Sequence, residues 1–170
     1  QFSTIHSLNN GDSSYSVSSY SVLTGSPTSN LYSARIQSGS FNDDLIINRG
    51  SPISVTVGSY TYNGKTALIR KQGSTVASVF LLKGSSLNEG STGYIDTFGV
   101  SANVESDGDI VEIKGPVTQF RIYAPSATVV RVNGNNVGFT RQGDYVVNGE
   151  QQTCSEDGTP YGECSTNQPL

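Results

Sequence analysis

The side chains in this chain best suited to chemistry are nine carboxylates between residues 43 and 144: Asp43, Asp44, Glu89, Asp96, Glu105, Asp107, Asp109, Glu112 and Asp144. Hydrolysis of a glycosidic bond needs two such groups facing one another across a groove, one as acid and one as base or nucleophile. Most of these acids sit beside Gly, Asn or Ser, where a carboxylate accepts hydrogen bonds from its own turn. Asp96 and Glu112 alone fall inside segments that read as strands, so they form the candidate pair for a small glycan-active hydrolase or lyase. A Ser-His-Asp triad would require His6, the sole histidine. His6 lies in a Ser/Asn-rich stretch, and the chain has no Gly-x-Ser-x-Gly elbow. Copper-dependent oxidative cleavage needs an N-terminal histidine, and Gln1 stands there. Asn42-Asp43-Asp44 and Asp107-Gly108-Asp109 offer oxygen ligands but not the longer loop of a calcium hand. No metal and no cofactor is expected.

A second kind of site is aromatic. The chain has nine Tyr, six Phe and no Trp, so any ring-stacking surface must be built from tyrosine or phenylalanine. Tyr60 and Tyr62 share one side of an extended segment and stand near Asn63, Lys65 and Arg70. Flat rings beside amides and cations hold sugars, because the apolar face stacks while the hydroxyls hydrogen-bond. These five residues are the candidate ligand-binding set. Tyrosine also favours strands for packing reasons alone, so a core role stays open.

Composition narrows the class. Only 14% of the 170 residues are charged and the net charge is −4, which argues against a phosphate-binding surface, and nucleic acid is not expected as a partner; the neighbouring cations Arg70 and Lys71 read as a solvated strand end. No run approaches the roughly 18 apolar residues of a membrane span. A chain beginning at Gln1 reads as a secreted protein freed of its signal peptide. In that oxidising compartment Cys154 and Cys164 are expected to pair, closing a small loop worth about 2–3 kcal/mol to its own segment. Neither has a CxxC partner or a nearby histidine, which argues against a metal role. N-linked glycans are not expected, since the chain holds no Asn-x-Ser/Thr sequon.

The elements that would carry these residues are strands. From Ile110 to Val147 the alternation is clearest: Val117, Gln119, Arg121 and Tyr123 on one side, Thr118, Phe120, Ile122 and Ala124 on the other. Asn133-Gly134 between Val130/Val132 and Val137/Phe139 predicts a hairpin, because both turn residues reach positive φ cheaply. Asn63-Gly64 predicts a second hairpin, from Tyr60 to Arg70. Ile53, Val55 and Val57 alternate as a half-buried strand, Thr75 to Lys83 reads as a central strand, and Gly84 to Gly93 reads as a loop. Strands recurring every roughly 8–12 residues with no 3.6 period predict an all-β, antiparallel β-sandwich, jelly-roll or Ig-like, of about ten to twelve strands. Residues 1–149 form the predicted single domain, and 150–170 a polar tail pinned by the disulfide.

The segment 120–147 resembles accessory β-sandwich domains of extracellular glycoside hydrolases and polysaccharide lyases. The residues that carry the resemblance are Pro125, Val130, Val132, Asn133, Gly134, Val137, Phe139, Gly143, Tyr145 and Val147. The Ser/Thr/Gly-rich remainder is similar to secreted fungal and microbial surface proteins. The resemblance implies no catalytic residue and a structural or accessory sandwich. The expectation is therefore an extracellular, non-catalytic module that binds a polysaccharide or cell-wall material, or packs beside an enzyme domain or another chain. A small hydrolase or lyase using Asp96 and Glu112 is the alternative, and a structural or adhesive cell-surface role is the third.

Overall fold

The structure is a computed structural model that describes residues 17–23, 30–51 and 54–149. His6, Ile53, Cys154, Cys164 and the predicted tail lie outside the described residues. Among these residues sixteen strands, numbered in chain order, form two sheets. The nine-stranded sheet runs β1 (Val17–Ser21), β2 (Leu31–Ser38), β3 (Phe41–Asn48), β6 (Thr66–Gln72), β7 (Thr75–Gly84), β10 (Ala102–Asp107), β11 (Ile110–Lys114), β13 (Val129–Val132) and β14 (Asn135–Asn136). The seven-stranded sheet runs β15 (Thr140–Gln142), β16 (Tyr145–Asn148), β12 (Phe120–Tyr123), β9 (Thr92–Asp96), β8 (Ser86–Glu89), β5 (Tyr60–Asn63) and β4 (Ser54–Val57). The count exceeds the ten to twelve expected because the expected loop 84–93 holds a strand and because short strands such as β14 and β15 are counted.

Alternation sorts each strand into an inner and an outer side. Ile46, Ala67, Ile69, Val79, Leu81, Val104, Val111 and Ile113 of the larger sheet are buried. They join Val57, Leu87, Ile95, Phe120, Ile122 and Val146 of the smaller in one core. Each such aliphatic side chain contributes about 1.5–3 kcal/mol by leaving water. The two inner faces thus make a β-sandwich-like fold.

The two Asn-Gly pairs behave differently. Asn133 and Gly134 take φ of 52° and 80° and close the β13–β14 hairpin as expected. Asn63-Gly64 is not a hairpin turn. There the chain leaves β5 in one sheet and enters β6 in the other. Gly64 is required by contact: a Cβ on it would lie 2.8 Å from Leu81 Cδ1. The facing Gly84 is tighter, since its Cβ would meet the Asn63 carbonyl oxygen at 2.2 Å. At Gly84 the chain crosses back, so the expected loop 84–93 instead holds β8 and the start of β9. Two cross-bonds pin the exchange: Lys65 N to the Leu82 carbonyl at 2.9 Å and Ser85 N to the Asn63 carbonyl at 2.9 Å.

The expected antiparallel pairing has one exception, β11 with β13, which run parallel. Parallel neighbours need a crossover between them. Here it is β12, which sits in the opposite sheet, so the strand expected from Val117 to Ala124 serves as a bridge between two visits to the larger sheet.

Candidate functional site

The residues predicted to act together are dispersed. Tyr60 and Tyr62 are 1% and 0% exposed, so neither ring offers a face to a sugar. They do share one side of β5, but that side is the inner one. Arg70 stands on the outer side of the larger sheet, in a two-bond pair with Asp43 at 2.7 and 2.8 Å. Lys65 donates its ammonium to the Gly50 carbonyl, and Asn63 uses its backbone at the crossing. Asp96 and Glu112 fall in different sheets. The neighbours of Asp96, Ile95 and Thr97, are buried, as are Val111 and Ile113 beside Glu112. Both carboxylates therefore point outward, from opposite sides of the sandwich, and cannot face one another across a cleft.

Glu112 lines a shallow depression of about 130 Å³ with Phe80, Leu82, Asn103, Glu105 and Lys114. Arg131 and Lys114 approach it at 3.6 and 3.9 Å. Glu105 is its direct cross-strand neighbour, so these two acids stand side by side on one surface.

Two other groupings do come together. The first lies between the sheets at one end. Asp44, 1% exposed, accepts two bonds from Arg35 at 2.6 Å each and one from the Tyr60 hydroxyl at 2.5 Å. Glu89 accepts from Lys71 at 2.5 and 2.7 Å, from the Tyr94 hydroxyl at 2.6 Å and from Ser59 at 3.2 Å. The Lys71 ammonium also lies 5.4 Å from the centre of the Tyr60 ring. Burial, reinforced by Asp44, pushes the Tyr60 hydroxyl far up, so it stays a neutral donor. Burial also raises Glu89, but Lys71, Tyr94 and Ser59 outweigh it and hold the carboxyl below its usual range. Every charge in this group is matched, as a structural clamp between β3, β6, β5 and β8 requires.

The second grouping lies on the outer side of the smaller sheet. Tyr123 of β12 and Tyr145 of β16 are direct cross-strand partners, half-buried, with ring centres 5.6 Å apart and nearly perpendicular. The buried Tyr94, whose hydroxyl is bound to Glu89, lies against Tyr123 with ring centres 5.7 Å apart. It can do so because a bulge opposite Leu87 and Asn88 leaves it unpaired in β9, so both Tyr94 and Ile95 are buried. The Arg121 guanidinium lies 3.9 Å from the Tyr145 ring centre. Among the described residues it makes no hydrogen bond or ion pair, so its N–H fork is held in place with no acceptor. Asp96 is the cross-strand neighbour of Arg121. Its Oδ1 accepts the Phe98 N–H at 2.8 Å and holds Phe98, 45% exposed, at a φ of 52°. A bulky residue in that left-handed conformation is strained by about 1–3 kcal/mol. Rings, a fixed donor fork and a carboxylate on one surface suit a ligand with apolar ring faces and many hydroxyls. Sequence reasoning placed Arg121 and Tyr123 on one side of a strand, but could not reach Tyr145 across the pairing.

Among the described residues, no three His, Cys, Asp or Glu side chains gather as metal ligands. No helix there is long and apolar enough to cross a membrane. No protein-family model and no curated protein matches the chain.

Proposed function

We propose that this chain is a secreted, non-catalytic module that binds carbohydrate through the outer side of its seven-stranded sheet. The observation that carries this reading is the Tyr123–Tyr145 pair with Arg121 stacked 3.9 Å over Tyr145 and its donors without an acceptor among the described residues. Stacking would fix the sugar ring, and Arg121 and Asp96 would bond its hydroxyls. The resemblance of 120–147 to accessory domains of glycan-active enzymes agrees with this, since Tyr145 belongs to both. The separation of Asp96 from Glu112 speaks against the hydrolase alternative.

The test is a panel of plant, fungal and bacterial polysaccharides, read for binding and for release of reducing ends on the same samples. Binding without release is expected. Arg121→Ala and Tyr145→Ala should each weaken it by about tenfold or more, the scale of a hot-spot residue. Release of reducing ends would overturn the reading.

A further inference from the structure

Tyrosine is the most readily oxidised side chain among the described residues. The chain has no Met and no Trp, and its two cysteines, Cys154 and Cys164, lie outside them. Thiols and thioethers ordinarily intercept an oxidant first. With neither in the described fold, an oxidising equivalent that reaches it settles on a phenol. The phenols are not equivalent. Tyr60, Tyr62 and Tyr94 are buried, and the Tyr60 and Tyr94 hydroxyls are bound to Asp44 and Glu89. Tyr20 and Tyr32 belong to the other sheet. Tyr123 and Tyr145 reach solvent as a pair, with the edge of one ring against the face of the other at an interplanar angle of 81°.

We infer that Tyr123 and Tyr145 form an oxidative cross-linking site, where hydrogen peroxide acting through a haem peroxidase joins the two rings as dityrosine. Each phenol gives up one electron and its hydroxyl proton, leaving two neutral phenoxyl radicals. The peroxide takes both electrons and both protons and leaves as two waters. A carbon–carbon bond forms between ring carbons ortho to the hydroxyls. The hydrogens on those two carbons move to the oxygens and restore both phenols, so the chain loses two hydrogens in all. Strand pairing favours this step, because it holds the rings in contact and one radical meets the other without diffusion. Tyr94, on the far side of Tyr123, is the poorer partner, since its ring is buried and its hydroxyl is held by Glu89. Arg121, stacked on Tyr145, screens that ring from a second chain and so favours the bond within one chain. The new bond ties β12 to β16 near the β15 edge of the smaller sheet, and closes a loop of roughly twenty residues as a disulfide would. The inference does not depend on sugar binding by the same surface.

The experiment treats the full chain with a haem peroxidase and equimolar hydrogen peroxide, at about 1 µM so that encounters between chains are rare. Dityrosine fluorescence is expected in a product that stays monomeric on a denaturing gel. After reduction and alkylation of the cysteines, trypsin should release the peptide that begins at Ile122 joined to the one that begins at Gln142, two hydrogens lighter than their sum. The thermal midpoint should rise by about 5–10 °C. Tyr123→Phe and Tyr145→Phe keep the ring packing and should each lower the fluorescence of the monomer about tenfold or more, while Tyr20→Phe leaves it unchanged. An oxidised chain without the joined peptides, a joined product that survives Tyr145→Phe, or dityrosine found only in dimers overturns the inference.

Discussion

Tyrosines occupy two regions of this molecule, and their surroundings differ in kind. Inside, at β5, the Tyr60 hydroxyl donates a hydrogen bond to a buried carboxylate that is itself neutralised by Arg35. Outside, at β12 and β16, the rings are held by one another's edges and by a stacked guanidinium. The inner hydroxyl is a structural donor in a dry setting, where leaving a partner unsatisfied is expensive. The outer rings face water and hold their geometry without using up their hydrogen-bonding capacity. Substitutions inside should therefore change stability, and substitutions outside should change binding.

The contrast is sharpest at Asp44. Asp44→Ala leaves Arg35 and Tyr60 without their acceptor, and should cost about 3–5 kcal/mol in urea unfolding. Tyr60→Phe removes one donor from the same carboxylate, and a loss of about 1–3 kcal/mol is expected. Glu89 adds a pH signature. Its folded pKa lies below the ordinary 4.5, so its stabilisation is present above that value and lost as pH falls through the folded one. Thermal melts from pH 7 down to about pH 2.5 should thus fall more steeply below pH ~4.5 for the wild type than for Glu89→Gln. Tyr62 reverses the rule for the inside: its buried hydroxyl has no partner among the described residues, and burial alone pushes its pKa up to about 12. Tyr62→Phe should be neutral or stabilising by up to about 1 kcal/mol. A large loss there would break the comparison by revealing a partner such as an ordered water. Arg121→Ala should move stability least, within about 0.5 kcal/mol, while still weakening glycan binding.

These residues also show how much of the fold and site was legible beforehand. Alternation identified strands and which side chains share a side, as for Arg121 with Tyr123 and Tyr60 with Tyr62. It does not carry the sign of that side, so it leaves open whether Tyr60 and Tyr62 form a surface or belong to the core, where both are buried. Turn chemistry was legible at Asn133-Gly134, where glycine serves a positive φ. The same dipeptide at 63–64 serves a close approach between segments about twenty residues apart, which no local window contains. Pairing across distant strands brings Tyr145 to Tyr123 and keeps Asp96 from Glu112, and it depends on strand order in each sheet.

The contact between Gly64 and Gly84 also bears on how the molecule opens. Two of the chain's crossings between sheets meet at this point, so β5 with β6 and β7 with β8 are continuous ribbons shared by the two sheets. Peeling either sheet away must pull apart the stitch that fixes the other. Amides of the two sheets should then exchange with solvent as a single unit, and a protease should find no half-open intermediate in which one sheet survives the other.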